Sequence, residues 1–188
     1  SFVSTGDGTI EERDGELWMD LTPLSMNSAV NATSSWLFVG EFDVQIDFTL
    51  HRWHPESSVR VGLKAGAYND DGVTDAVIRL HDGAWGEVYV THLSDGARGR
   101  QLTSDLIGKL RLIRVGQSMS GLRWTPQGWS LVHTGTASMD NGPLILSVWA
   151  SRYSPGATVS FDNVIVNRGT MQPVLTPPTP SEQWRRYF

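Results

Sequence analysis

The second half of this chain is a series of short alternating segments separated by tight turns, and this pattern constrains the fold more than any other feature. Alternation runs through Lys109–Val115 and Ser118–Trp124, a Thr-Pro-Gln-Gly turn follows, and Trp129–Val132 comes next. The closing segment is Thr158–Val166. Short strands at this spacing predict an all-β fold built as a two-sheet antiparallel sandwich. Because no segment keeps an apolar period of 3.6 residues, we expect little helix.

The clearest single strand lies between Phe42 and His51. Apolar side chains occupy its even positions and polar side chains its odd positions, which places the two sets on opposite faces. A strand of this kind is half-buried in an antiparallel sheet. The pattern of residues 29–38 is compatible with both strand and loop. We predict further strands at 16–21, 59–65, 76–80, 87–93 and 144–151.

Composition narrows the classes of function. The 188 residues carry a net charge of −5 with acidic and basic residues interspersed, which argues against a nucleic-acid partner. No apolar run approaches the ~20 residues of a membrane span, so we expect no transmembrane segment. The absence of cysteine excludes disulfides, thiolate metal sites and cysteine nucleophiles. Eight tryptophans are many for this length, and each must lie in the core or on a contact surface.

Two parts are distinguished along the chain: residues 1–169 are the predicted sandwich, and residues 170–188 are a proline-rich extended tail. We expect the strand pattern to close at Val166. Aromatic groups at the end of the tail would anchor it to a partner, and its arginines would pair with an acidic surface. The alternative is docking of the tail on its own sandwich. The predicted partner-binding residues are Trp184, Arg185, Arg186, Tyr187 and Phe188.

A resemblance to the concanavalin A-like jelly rolls is carried by residues 110–116, 122–124, 128–132, 146–150 and 159–166, the last of which contain Phe-Asp-Asn-Val. In outline the chain is most similar to the laminin-G-like modules of extracellular bacterial proteins, over about residues 10–168. The resemblance implies two stacked antiparallel sheets with the N-terminal strand near the last one. It also implies frequent recognition of glycans or proteins, sometimes with calcium. It transfers no particular function, since sites are grafted onto such folds independently.

Hydrolysis is the first chemistry to weigh. Some concanavalin A-like enzymes cleave β-glucans with a Glu-x-Asp-x-Glu or Glu-x-Asp-x-x-Glu motif, and the segment from Glu41 to Asp47 partly resembles it. Gln45 and Ile46 stand where the second glutamate of the shorter and longer forms would be. Asp43 and Asp47 are about 13 Å apart along a strand, too far for the ~5–5.5 Å of a retaining mechanism. We therefore predict that the chain is not an enzyme and that these carboxylates lie on a solvated face.

An acidic turn at 69–75 predicts a metal site. Carboxylates, an amide and backbone carbonyls are the oxygen ligands that calcium uses. The turn lacks the EF-hand spacing and its closing glutamate, and an ordinary turn of Asp, Asn and Gly is the alternative. We expect no cofactor to be required, and a structural Ca²⁺ is the ion that this turn would hold. The predicted metal ligands are Asp70, Asp71 and Asp75.

A glycan surface is the second chemistry to weigh, because sugars are bound by aromatic faces beside polar groups. The strand after Leu144 carries Trp149 on its more polar face, and other predicted strands add charged side chains, among them Arg60 and Lys64. The alternative is a wet outer face with Trp149 half covered by long side chains. We predict that one concave surface carries the ligand-binding residues Trp149, Tyr153, His51, Arg79 and Asp47.

Other tryptophans have separate predictions. Trp85 in a turn and Trp53 at a strand end are alternative sugar platforms. Trp124 and Trp129 are predicted to brace their shared hairpin across the strands.

These observations predict a non-catalytic module outside the cytoplasm, whether secreted, cell-surface or periplasmic, that recognises a glycan or a protein surface. The alternative is an architectural subunit of a larger extracytoplasmic or membrane-associated complex, which docks on a neighbouring subunit through its tail. A glycoside hydrolase is the third hypothesis. Because the chain begins at Ser1 without Met, we expect a mature or excised product. A groove with aromatic faces would favour recognition, and a tail on a neighbour would favour the subunit.

Overall fold

Strands dominate the molecule. The computed structural model describes residues 2–6, 8–21, 27–54, 59–66, 75–96, 98–137, 141–150 and 154–173. Within these ranges the chain forms antiparallel strands, turns and short connections, with no helix, so the predicted all-β fold is confirmed. No helix long and apolar enough to cross a bilayer occurs in this described part of the chain.

The strand bounds follow the predicted pattern closely. Glu16–Leu21 forms a strand as predicted, and the open region 29–38 belongs to a 25-residue strand that also contains the alternating segment. The strands are β1 (Phe2–Gly6), β2 (Thr9–Arg13), β3 (Glu16–Leu21), β4 (Ser28–Arg52), β5 (Val59–Ala65), β6 (Asp75–Asp82), β7 (Gly86–His92), β8 (Arg100–Leu102), β9 (Ile107–Val115), β10 (Ser118–Thr125), β11 (Gly128–Thr136), β12 (Asn141–Ala150) and β13 (Ala157–Pro173).

Two antiparallel sheets share the long strand β4. Its first part, up to Val39, pairs with β12, and that ladder continues through β5, β6 and β7 to β8, with β1 on the other side of β4. Its second part, from Phe42, pairs with β9, which leads to β10 and β11, and with β13, which leads to β3 and β2. We call the first the front sheet and the second the back sheet.

The chain passes between the sheets at Gly40. Its φ is +67°, a conformation that glycine adopts without the steric cost of a Cβ. β13 follows β4 across this bend and pairs with it from Thr158 to Pro173. The prediction that the strand pattern closes at Val166 is therefore wrong, because the residues after it still find ladder partners on β4. The last strand extends beyond the predicted domain boundary at 169.

The core lies between the two sheets. The predicted apolar face of the alternating segment is buried, with Val44 and Ile46 wholly inaccessible. From the front sheet, Tyr89 packs edge-on against Phe48, with the ring centroids 6.4 Å apart. Each fully buried aliphatic or aromatic side chain contributes about 1.5–3 kcal/mol of transfer free energy. This shared core holds both sheets, and hence their outer faces, in a fixed relation.

The outer face of the front sheet carries a second apolar cluster. Strand β6 is buried on both faces, and its even-numbered residues, which face outward, are apolar. They meet two residues of β7 across the ladder. The cluster consists of Ala76, Ile78, Leu80, Val88 and Val90.

Candidate functional site

A groove of about 340 Å³ lies on the outer face of the front sheet, beside this apolar cluster. Its floor is a row of four residues that stand opposite one another on neighbouring strands, with small residues at its centre. Asn31 of β4 faces Ser147 of β12, Ser147 faces Gly62 of β5, and Gly62 faces Ile78 of β6. Because the rows on either side carry longer side chains, the small floor makes a depression across the strands.

Gly62 keeps the floor of the groove low. A Cβ at this position would lie 3.3 Å from Cγ1 of Ile78 and 3.8 Å from Oγ of Ser147, and all three residues line the groove. Any larger side chain would therefore project into the space that a ligand would use.

One wall of the groove is formed by Trp149 and Arg60. The two residues are paired across β12 and β5, and the Arg60 Cζ lies 4.4 Å from the centroid of the Trp149 ring. Trp149 is half-buried on the outer face, as the glycan hypothesis requires, and a long side chain covers one side of its ring, as the alternative expected. Stacking on an indole fixes the plane of a guanidinium. The wall thus presents an oriented arginine beside an aromatic ring.

The opposite wall contains Lys64 of β5 and His92 of β7, which are paired with Ala76 of β6 from either side. Burial, and then the charge of Arg60, lower the pKa of Lys64 to about 8. Burial also lowers the pKa of His92 to about 4, and the next largest cause is the charge of Arg98. Partial desolvation and the charge of Arg98 lower the pKa of Arg60 as well. Burial is the largest cause of each shift, and the charge of a neighbouring arginine adds to it in all three cases.

Asn31 adds a polar group to the floor. Its Oδ1 is buried and has no hydrogen-bond partner within the described ranges. Buried polar atoms are nearly always hydrogen-bonded in folded proteins. A ligand hydroxyl donor in the groove would satisfy such an acceptor once the side chain turns toward it.

Arg79 does not belong to this surface. It was predicted on the polar, ligand-binding face, but its side chain points between the sheets and is 1% exposed. The correction has a simple cause: because the outward residues of β6 are apolar, polarity did not identify the outer face. Arg79 is ion-paired with Glu87, donates from Nε to the backbone oxygen of Asp105 at 3.3 Å, and lies 5.4 Å from the ring of Trp53. These contacts hold its side chain between the sheets.

His51 and Asp47 lie on the outer face of the back sheet, whereas the groove lies on the front sheet. The cause is that the second part of β4, which carries both residues, belongs to the back sheet. The imidazole of His51 stacks on Trp18 with centroids 4.0 Å apart, and its Nε2 is hydrogen-bonded to Ser160. Asp47 accepts a hydrogen bond from Lys109 at 2.5 Å. The structure therefore separates the predicted ligand-binding set, and Tyr153 lies outside the described residues.

The carboxylates of the glucanase-like segment are engaged by neighbouring strands. Arg111 donates to both oxygens of Asp43, at 2.7 and 2.5 Å, and Asn167 donates to one of them at 3.1 Å. Burial opposes ionisation of Asp43, but the hydrogen bonds and charge of Arg111 outweigh it, and the pKa of Asp43 falls below its usual value. Asp43 and Asp47 are therefore half-buried, and they form ion pairs with Arg111 and Lys109 respectively. The sequence had predicted a freely solvated face.

The predicted calcium ligands are only partly described. Asp75 is 1% exposed, and one of its oxygens accepts a hydrogen bond from the Ser94 backbone at 3.0 Å. Asp70 and Asp71 lie outside the described residues. Among the residues that are described, no group of three or more His, Asp or Glu side chains could hold a metal ion. The calcium site stays a prediction.

The remaining tryptophans differ in their surroundings. Trp124 and Trp129 meet edge-on across β10 and β11, with centroids 5.3 Å apart, so the predicted brace of this hairpin is present. Trp53 donates to Glu87 at 2.9 Å and belongs to the Arg79 cluster. Trp85 is 59% exposed at its turn. The predicted partner-binding residues Trp184, Arg185, Arg186, Tyr187 and Phe188 lie outside the described residues.

Several groove residues carry no sequence signal of their own. Gly62 and Asn31 become important only because the register aligns them with Ser147. His92 and Arg98 come from β7 and the segment after it, which are distant in sequence from Trp149. Strand order, which the amino-acid pattern does not contain, brings them together.

No protein-family model and no curated protein sequence matches this chain. Solved structures do match. Carbohydrate-binding module CBM66 from Bacillus subtilis is 15% identical over 86% of this chain and 92% of its own, with a TM-score of 0.51. A Bacillus licheniformis β-glucanase is 11% identical over 85% and 82%, with a TM-score of 0.56. The exoplasmic/lumenal domain of VIP36, in its Ca²⁺/Man3GlcNAc-bound form, is 9% identical over 96% and 87%, with a TM-score of 0.60. The fold is therefore the concanavalin A-like jelly roll.

Proposed function

We propose that this chain is a non-catalytic glycan-recognition module and that the groove of the front sheet is its binding site. The observation that carries the proposal is the Trp149–Arg60 wall beside the low floor at Gly62. The aromatic ring and the Ile78 side chain suit the C–H faces of a sugar, and the polar groups of the floor and walls suit its hydroxyls. The volume of about 340 Å³ falls at the lower end of ligand-site sizes, which suits one or two sugar units.

The comparisons support this proposal at the level of the fold. One matching structure is named a carbohydrate-binding module, another holds Man3GlcNAc, and a third is named a β-glucanase. Binding and cleavage of carbohydrates are thus both represented on this fold, and the choice between them depends on the side chains.

Recognition without cleavage is favoured by the position of the carboxylates. Glycoside hydrolysis uses a pair of carboxyl groups on either side of the bond to be broken. None of the described residues lining the groove is Asp or Glu. Asp43 and Asp47 lie on the other sheet and are bound by Arg111 and Lys109.

A location outside the cytoplasm is part of the proposal, since that is where most large glycans are met. The VIP36 domain is described as exoplasmic/lumenal, which agrees with it. Docking of the tail on a neighbouring subunit stays a prediction, because residues 174–188 lie outside the described part of the chain.

Affinity electrophoresis of the full chain through gels containing soluble polysaccharides tests the proposal. We expect retardation by at least one polysaccharide and no release of reducing ends from it over long incubation. Asp43→Asn and Asp47→Asn should be retarded like the native chain. Failure to bind any glycan of a broad panel, or cleavage that either substitution abolishes, would overturn the proposal.

A further inference from the structure

The described residues that line the groove carry a charge opposite to the net charge of the protein. The chain carries a net charge of −5, yet Arg60, Lys64 and Arg98 line the groove together with His92. No Asp or Glu is found among the described lining residues. A concentration of one sign in a concave site attracts ligands of the opposite sign.

The back sheet offers an internal comparison. Its cations stand beside carboxylates on the same face, with Arg111 bound to Asp43 and Lys109 bound to Asp47. Strand pairing in this protein can therefore match opposite charges across a ladder, as cross-strand stabilisation favours. In the groove, the residue opposite Arg60 on β12 is Trp149, and the residue opposite it on β6 is Leu80.

The groove cations also influence one another. The charge of Arg98 acts on Arg60, and the charge of Arg60 acts on Lys64. Bringing like charges together costs free energy, which a bound anion would offset. A neutral sugar could accept hydrogen bonds from these groups but would not offset their mutual repulsion.

The geometry of Arg60 suits one kind of anion. A guanidinium held in a plane by an aromatic ring offers two parallel N–H donors, which match the oxygens of a carboxylate or a sulfate. Lys64 provides a compact positive charge four residues after Arg60 on the same face of β5, across the floor at Gly62. Ile78 provides an apolar surface on that floor for the sugar ring.

We propose that the groove binds an acidic glycan, one whose sugars bear carboxylate or sulfate groups, with Arg60 holding the anionic group and Lys64 supplying a second positive charge. This inference rests on the proposed function and specifies its ligand class. The Trp149 ring, the apolar side chain of Ile78 and the volume of about 340 Å³ favour a sugar that carries the anion over a free inorganic anion.

Matched pairs of oligosaccharides test the inference by calorimetric titration of the full chain. The first pair is tetragalacturonate and its carboxyl-reduced, neutral counterpart. The second pair is a sulfated galactan tetrasaccharide and its desulfated form. We expect at least one anionic member to bind about tenfold or more tightly than its neutral partner, as expected for a charge-assisted contact. That preference should shrink as NaCl rises from about 50 to about 300 mM.

Two arginine substitutions locate the effect. Arg60→Gln should weaken binding of the preferred anionic member about tenfold or more and that of its neutral partner by a much smaller factor, so that the preference for the anion falls. Arg168→Gln makes the same change of charge on the back sheet, where Arg168 pairs with Glu41, and should change neither affinity. Thermal melts of both variants exclude unfolding as the cause.

The outcomes separate this inference from the proposed function. Equal affinity for the charged and neutral members overturns the acidic-glycan inference and leaves glycan recognition in place. An anion preference that Arg60→Gln and Arg168→Gln reduce alike overturns the assignment to Arg60. If no member of either pair binds at millimolar concentration, the acidic-glycan inference is overturned, and the neutral polysaccharides of the wider panel then decide the proposed function.

Discussion

Trp149 and Arg60 stand directly opposite each other on β12 and β5, and both side chains lie on the outer face of the front sheet. The register of two strands that are distant in sequence therefore builds the aromatic wall of the groove. Since the guanidinium rests on the indole, the two residues act as one unit. Loss of the ring would remove both the proposed sugar platform and the support of the arginine.

Trp149→Ala should weaken glycan binding by about 1–3 kcal/mol, the usual contribution of an aromatic anchor. Trp129→Ala is the matched control, because that ring pairs with Trp124 on the back sheet and is expected to leave affinity unchanged. Calorimetric titration with the polysaccharide that binds the native chain most tightly measures both effects. Equal loss in the two variants would contradict the placement of the site.

Gly62→Val should abolish binding and leave the fold intact, because the added side chain fills the floor beside Ile78, 3.3 Å from the ideal Cβ. Gly108→Ala is an instructive comparison: its Cβ would lie 2.6 Å from the Tyr89 hydroxyl and 2.9 Å from Cζ of Phe48, inside the core. We expect that variant to be destabilised, with the folded fraction still binding. Titrations and thermal melts of both proteins check this, and retained affinity in folded Gly62→Val would place the ligand elsewhere.

Arg79→Ala should destabilise the protein by about 3 kcal/mol, the lower end of the cost of breaking a buried ion pair, because its partner is partly exposed and keeps other hydrogen bonds. The partner is Glu87, which also binds Trp53 and His81. Urea denaturation measures the loss, and glycan affinity of the folded variant should equal that of the native chain. Lower affinity with unchanged stability would indicate that Arg79 contacts the ligand and would contradict its placement between the sheets.

The contrast between β4 and β6 explains how much of the fold could be predicted from the sequence. From Phe42 onward β4 has one apolar and one polar face, so alternation alone assigned its core side correctly. Strand β6 is buried on both faces, and there a polar residue such as Arg79 carries no information about direction. Gly40 concealed the continuity of β4, because a glycine in a strand pattern usually marks an interruption.

The candidate site was predictable only in part. Trp149 was identified because an aromatic residue on the more polar face of a strand is conspicuous. The partners at Arg60 and Lys64 were recognised as polar-face residues, but their distance from Trp149 depends on the order β12, β5, β6. That order results from long-range pairing, which a single sequence does not reveal.

His92→Gln should lessen the acid sensitivity of the fold. Burial, followed by the charges of Arg98, Arg60, Lys64 and Arg100, lowers the pKa of His92 to about 4 from a usual 6.5. Between these values the unfolded chain binds more protons, so stability falls as pH drops from 6.5 through 4 and is unaffected by this group above 6.5.

The measurement is the change in Tm between pH 7 and about 4.5. We expect a smaller decrease for His92→Gln than for the native chain. His133→Gln, on β11 of the back sheet, controls for the loss of a histidine and should match the native chain. A native decrease that His92→Gln fails to reduce would contradict the lowered pKa that burial and the neighbouring cations give His92.

The central claim is that a glycan binds on the outer face of the front sheet, and the indole N–H signals of the protein test it most directly. The chain has eight tryptophans, each of which gives one such signal in a ¹⁵N-correlated spectrum. During titration with the best-binding oligosaccharide, the signal of Trp149 should shift, and those of Trp18, Trp124 and Trp129 on the back sheet should stay in place. Shifts confined to the back-sheet tryptophans, with Trp149 unmoved, would contradict the account.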